Sequence, residues 1–215
     1  MRIELFSDVI CPWCYIGKRR LERALAERPL PGLVIDWRAF QLNPDMPADG
    51  MDRQAYIAAK FGPGRGAEIY ENVRQVGEGE GIVFAFDRIR RTPNTVDAHR
   101  LVRWADDRGG ADTMVETLFR GYFIEGADLT DRATLATLAG EAGQSAEDAR
   151  DLLATPDLVD EIQTETRRAY AMGINGVPCF LVAGRYALSG AQPPEGLFPL
   201  FDLARQMASE AASAK

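Results

Sequence analysis

The stretch Arg2-Ile3-Glu4-Leu5-Phe6-Ser7-Asp8-Val9-Ile10-Cys11-Pro12-Trp13-Cys14 decides the fold. Ile3 and Leu5 alternate with Arg2 and Glu4, the period of a strand over Arg2 to Ser7. Cys11 to Cys14 follow after a short turn. From Cys14 to about Arg28 the chain reads as a helix, with Leu21, Ala24, Leu25 and Arg28 at helical spacing and Pro29 as its stop. Pro12 suits the first turn, where its missing N–H costs nothing. Leu33 to Leu42 reads as a second strand, ended by Asn43-Pro44. The unit is strand–helix–strand, with a CxxC at the first strand-to-helix junction.

That position selects the chemistry of the pair. A structural zinc site needs four ligands, and only Cys179 and His99 remain, at no ligand spacing, so no metal is expected. Residues i and i+3 on a helical turn lie about 5–6 Å apart, a separation that suits a disulfide between Cys11 and Cys14. Cys11 at the cap faces free N–H groups and the positive end of the helix dipole, which favour a thiolate. It is therefore the expected nucleophile and partner-facing sulfur. Cys14, inside the first turn, is the expected resolving thiol.

From 45 to 173 the signals are helical. Helices are predicted over 52–60, 67–78, 94–107, 112–124, 131–142 and 146–153. A last one is capped by Thr155-Pro156 and ended by Gly173. Gly62-Pro63-Gly64-Arg65-Gly66 follows no strand and lacks Gly-Lys-Ser/Thr, so it reads as a loop rather than a phosphate cradle. Strands return at Val177 to Val182 and Arg185 to Leu188, a hairpin around Ala183-Gly184. Pro194 to about Ser209 is a final helix, and Ala211 to Lys215 a frayed tail.

Composition narrows the partners. The 215 residues are 46% hydrophobic and 27% charged, the mix of an ordinary globular protein. A formal charge of −7 argues against nucleic acid and anionic membrane, which need a basic footprint. No apolar run approaches the roughly 18 residues that span a bilayer. The first eight residues carry two acids and lack a secretory leader pattern, so the cytoplasm is the expected address. Three cysteines cannot make a structural disulfide framework, which leaves redox work for the pair.

Ser7-Asp8-Val9-Ile10-Cys11-Pro12-Trp13-Cys14, Phe40-Gln41-Leu42-Asn43-Pro44, Asn94-Thr95 with Ala98-His99-Arg100-Leu101, Gly173 to Pro178 and Gly190-Ala191-Gln192 occur in this order. Together they resemble the DsbA-like thioredoxin-fold oxidoreductases, specifically their FrnE-type branch, over nearly the whole chain. The resemblance implies an α/β thioredoxin-like domain from 1–44 and 174–215, interrupted by a large all-helical insertion from 45 to 173. It also implies a cis Val177-Pro178 bond beside the CxxC, with Val177 pairing to an extended substrate and Pro178 packing on the cysteines. Pro12 and Trp13 complete the implied substrate-binding set, Trp13 as an aromatic for apolar partner surface.

The implied activity is thiol–disulfide exchange on protein or small-molecule disulfides and dithiols. Glutathione or another thiol is the redox partner, and no cofactor is tightly bound. Strongly oxidising relatives carry a histidine where Trp13 stands, so no strongly oxidising potential carries over. His99 reads either as a general base or as a packed or capping residue at the domain junction. The second is favoured, because the exchange needs a thiolate and no histidine. Cys179 reads as a small buried residue or as a third redox-active thiol. The rival function keeps the fold: related kappa-type glutathione transferases and 2-hydroxychromene-2-carboxylate isomerases bind glutathione in the same cleft, with a serine where Cys11 stands.

Overall fold

A computed structural model describes residues 1–62 and 64–213. Its centre is β1 (Arg2–Ser7), with Ile3 and Leu5 buried as the alternation predicts. β1 pairs in parallel with β2 (Val34–Ala39), in register from Arg2 opposite Val34 to Ser7 opposite Ala39. A parallel pair needs a crossover, which α1 (Pro12–Glu27) supplies. On its other edge β1 pairs antiparallel with β5 (Cys179–Val182), and β6 (Tyr186–Ser189) closes a four-stranded sheet of order β2-β1-β5-β6.

Several boundaries differ from the sequence reading. The second strand spans six residues rather than the ten from Leu33 to Leu42. Beyond Ala39 the backbone turns away, and the Leu42 N–H is taken by the Asp8 carboxylate at 2.7 Å instead of by a strand. β5 begins at Cys179, not Val177, since Pro178 has no N–H for the ladder. The hairpin partner is shifted by one residue, with Ala183 and Gly184 both at positive φ, 53° and 67°.

Between β2 and β5 lie α2 (Arg53–Phe61), α3 (Arg65–Gly79), α4 (Val96–Asp106), α5 (Ala111–Arg120), α6 (Arg132–Glu141), α7 (Ala146–Ala154) and α8 (Val159–Ala171). The region is not wholly helical: β3 (Met51–Asp52) and β4 (Arg91–Thr92) form a two-residue antiparallel ladder. α4 starts two residues after Asn94, whose side-chain oxygen accepts the Val96 N–H at 3.0 Å. The helix expected to run from 112 to 124 ends at Arg120 and passes into a π turn over Gly121–Glu125. Thr155-Pro156 does not cap the last insertion helix. Thr155 closes α7, and α8 begins after Leu158, which sits at φ 66°. Arg65 and Gly66 belong to α3, while Pro63 of the glycine-rich loop lies outside the described residues. α9 runs Pro194–Ser213, past the expected fraying point at Ala211; Ala214 and Lys215 lie outside the described residues. Among the described residues no helix is long and apolar enough to cross a membrane.

One continuous apolar core joins α1 to the helices that follow β2. The Tyr15 ring stacks on Phe119 with centroids 5.0 Å apart, and Phe123 and Phe84 extend the cluster. Polar contacts reinforce the same seam. The Tyr15 hydroxyl donates to Glu116 Oε1 at 2.9 Å, and Arg19 pairs with the same carboxylate at 2.5 Å. Lys18 is buried, yet it lies among Glu22, Asp112 and Glu116, the only terms on which an ammonium is held inside without large cost.

Burial, and for Tyr15 also the Glu116 carboxylate, pushes the Tyr15 and Tyr122 phenols above their ordinary value of 10.0. An acid whose folded pKa exceeds its unfolded one contributes stability that is complete below the unfolded pKa and lost as pH rises beyond it. The denaturant midpoint is therefore expected to hold at neutral pH and to fall above about pH 10, with Tyr15→Phe flattening part of the fall. A midpoint unchanged to about pH 11 would contradict this account of the core.

Candidate active site

The cysteine pair is placed by the first turn of α1. Cys11 is the N-cap, with its N–H on Asp8 O and its carbonyl accepting the Cys14 N–H, both at 3.0 Å, and Pro12 takes the first helical position. Both thiols are free and buried. They are not equivalent. Cys11 Sγ donates to the Val177 carbonyl at 3.5 Å and lines a cavity of about 250 Å³. Cys14 lies behind it, 1% exposed, and its pKa is held well above 9.0 by burial first and then by the hydrogen bond and charge of Cys11.

The Val177–Pro178 peptide is cis, and its loop packs on α1. Gly17 makes that approach possible: a Cβ there would stand 2.8 Å from Pro178 Cγ. Pro178 O accepts the Gly190 N–H at 2.8 Å, and Ala191 O accepts from Arg20 at 2.5 Å. The Gly190-Ala191-Gln192 motif therefore anchors the proline loop to α1.

Cys11, Pro12, half-buried Trp13 and Val177 form one wall of the cavity. Arg53, Tyr56 and Lys60 of α2 and Tyr70 of α3 form the other. Arg53 donates to Tyr70 at 2.7 Å and to Thr92 Oγ1 at 3.2 Å, and Lys60 donates to Tyr56 at 2.7 Å.

Of the remaining residues singled out in the sequence, His99 is buried on α4 with Nε2 3.4 Å from Asp8 Oδ1, just before the cysteine turn and not on the cavity wall. Cys179 sits on the other sheet face, in a smaller core with Phe6, Phe40 and Leu181, and Ser189 Oγ lies 3.8 Å from its sulfur. Burial pushes its thiol pKa up. The structure does not bring it to the cavity. Sequence reasoning missed Asp8, Gly17, Arg53, Tyr56, Lys60 and Tyr70 as site residues. Gly17 alone left a signal, a glycine inside a helix, where it costs about 1 kcal/mol against alanine and so asks for a packing reason.

Known proteins share this fold. A probable DsbA oxidoreductase, SCO1869 of Streptomyces coelicolor, superposes with a TM-score of 0.85 at 33% identity, covering 96% of this chain and 90% of its own. A 2-hydroxychromene-2-carboxylate isomerase superposes at 0.69 with 16% identity over 100% of both chains. The cytosolic disulfide reductase DsbM of Pseudomonas aeruginosa, solved with GSH, superposes at 0.64 with 18% identity over 99% of this chain and 100% of its own. The last two likenesses concern the fold. The profile of the DSBA-like thioredoxin domain matches residues 2–199, so the chain belongs to that family and has its α/β thioredoxin-like fold.

Proposed function

We propose that this protein is a thiol–disulfide oxidoreductase of the FrnE-type branch, with Cys11 as nucleophile and Cys14 as resolving thiol. The observation that carries it is the inequivalence of the two sulfurs: Cys11 opens onto a cavity, and Cys14 is buried behind it with a raised pKa. The Cys11 thiolate attacks one sulfur of a substrate disulfide, forms a mixed disulfide and releases the other half as a thiolate. Cys14 gives up its proton to solvent or to the departing sulfur and attacks Cys11 Sγ. The second half then leaves as a thiolate and the Cys11–Cys14 disulfide closes. The substrate gains two electrons and the pair loses two; two glutathione thiols restore the pair and emerge as glutathione disulfide.

On this reading residues 1–44 and 174–215 supply the cysteines and the proline loop, and the insertion from 45 to 173 supplies the cationic wall. Val177 and Trp13 hold the substrate. The glutathione-rich cytoplasm is the proposed compartment. Glutathione as partner is supported by the GSH complex of the fold neighbour DsbM. The isomerase reading is weaker, because a purely glutathione-activating site has no use for a second thiol at position 14.

Limited alkylation at neutral pH should label Cys11 first, with Cys14 protected by burial and by its raised pKa. Mass mapping that finds Cys14 or Cys179 modified first would overturn the assignment. Cys14→Ser should trap a stable mixed disulfide on Cys11 when offered glutathione disulfide; turnover at the parent rate would rule out the two-cysteine mechanism. Gly17→Leu should displace Pro178, cost about 1–3 kcal/mol of stability by overpacking and slow exchange roughly 10-fold or more. Gly79→Ala, with open space at its Cβ, should leave the exchange rate unchanged and serves as the control.

A further inference from the structure

Cys14 has to lose a proton before it can attack, and it does not line the substrate cavity. Burial first, then the hydrogen bond and charge of Cys11, hold its pKa well above 9.0. Two contacts pull the other way: the Ser7 side chain and the Asp8 backbone are hydrogen-bonded to the Cys14 sulfur. Both stand at the end of β1, behind the cysteine pair.

Ser7 also lines a second cavity, of about 20 Å³, together with Trp37, Ala39, His99 and Glu165. Its volume suits a single water. Its lining shares no residue with the substrate cavity, and its partly exposed members Arg38, Arg103 and Glu165 give it a separate way to solvent. Buried polar atoms without a partner gather here. Of five such side-chain atoms among the described residues, Trp37 Nε1 and His99 Nε2 belong to this lining, and Asp8 Oδ1 stands 3.4 Å from His99 Nε2. Asp8 is 0% and His99 5% exposed, so leaving these atoms unmet is costly. A proton placed between Asp8 Oδ1 and His99 Nε2 turns that gap into a charge-assisted hydrogen bond.

We propose that Ser7, a water in this second cavity and the His99–Asp8 pair carry the Cys14 proton away, so that disulfide closure releases its proton by an exit separate from the substrate cavity. The inference rests on the two-cysteine exchange proposed above and supplies the path of its second step. As the Cys14 sulfur bonds to Cys11 Sγ, the bond from Cys11 to the substrate half breaks, and its electron pair leaves with the substrate thiolate. The Cys14 proton passes to Ser7 Oγ, and the proton of that hydroxyl passes through the water to His99 Nε2. The imidazolium holds it against Asp8 until it reaches solvent past Glu165. The charged groups around His99 are Asp8 after β1, Arg38 of β2, Arg103 of α4 and Glu165 of α8, while α5 brings the uncharged Val115. The Tyr170 phenol interacts electrostatically with Asp8. Glu165 is paired with Arg38 at 3.3 Å and Arg103 with Glu161 at 2.7 Å, which leaves Asp8 as the anion that meets the imidazole.

The test mixes the whole reduced protein with excess glutathione disulfide and quenches in acid. The first glutathione released marks attack by Cys11, the second marks closure by Cys14, and the protein mass counts the mixed disulfide between them. In the parent the mixed disulfide should not accumulate near neutral pH, and deuterium oxide should slow the second release. Ser7→Ala and His99→Gln should accumulate it, with the second release slowed on the order of 100-fold, the low end of what a positioned base contributes. The deficit should fall on the second release and not the first. It should narrow as pH rises and Cys14 ionises to hydroxide without help, and vanish in acid, where the imidazole of the parent already carries its proton. A packing defect would instead lower the rate by one factor at every pH.

A second release equal to the parent's in both variants, or slowed equally across the pH range, would overturn the route and leave the oxidoreductase standing. Failure of the parent to form the mixed disulfide or to close it would overturn the exchange reaction and the route with it. If His99→Gln fails to fold, Ser7→Ala, which removes a single hydroxyl, carries the decision together with the parent's pH profile and isotope effect.

Discussion

Gly17 has no Cβ, and the Pro178 ring occupies the space where one would stand. The rest of the cleft follows from that contact. It lets the 177–178 loop lie flat against the first turns of α1, which brings the Val177 carbonyl to 3.5 Å from Cys11 Sγ. Because Pro178 gives no N–H to a ladder, β5 starts at Cys179. Strand alternation then sends Phe180 and Val182 into the core that holds the cysteine pair, and Cys179 and Leu181 to the opposite face. The third thiol is kept from the other two by the period of a strand, not by distance along the chain.

Much of this was legible. β1, α1 and the hairpin β5–β6 show in the sequence because their periods, their proline positions and the Ala183-Gly184 turn are local signals. Gln41 and Leu42 misled: Phe40 still donates to the Ser7 carbonyl at 3.0 Å, but the next two residues that read as a strand are held by side chains instead. Asp8 takes the Leu42 N–H, Gln41 reaches Asn94 at 3.4 Å, and Tyr170 donates to the Gln41 carbonyl at 3.0 Å. The cationic wall was invisible for another reason. The positions of α2 and α3 are readable to within a few residues, but which of their faces meets Cys11 depends on long-range packing such as Tyr70 against Phe61 and Phe86, a tertiary fact with no local signature.

Several arginines of this acidic chain are matched to acids. Arg20 and Arg23 share Glu80, both at 2.7 Å; Arg103 meets Glu161 at 2.7 Å; Arg38 lies between Glu4 and Glu165. With seven acids in excess, a counterion for Arg53 and Lys60 would have been easy to provide. Arg53 differs from these in being buried with hydroxyl partners and no carboxylate.

The two sulfurs also fit one another in sequence of events. On the proposed reading, the first attack leaves half of the substrate bonded to Cys11 on the cavity side. The second attack must come from Cys14, which lies on the buried side of Cys11 and lines no part of that cavity. Attack and departure thus take place on opposite sides of Cys11 Sγ, and the group that leaves is the one already facing open space. A resolving cysteine on the cavity wall would have competed with substrate for the same volume. Burial of Cys14 avoids that competition, and the raised pKa that comes with burial holds its proton while the cavity side of Cys11 meets substrate.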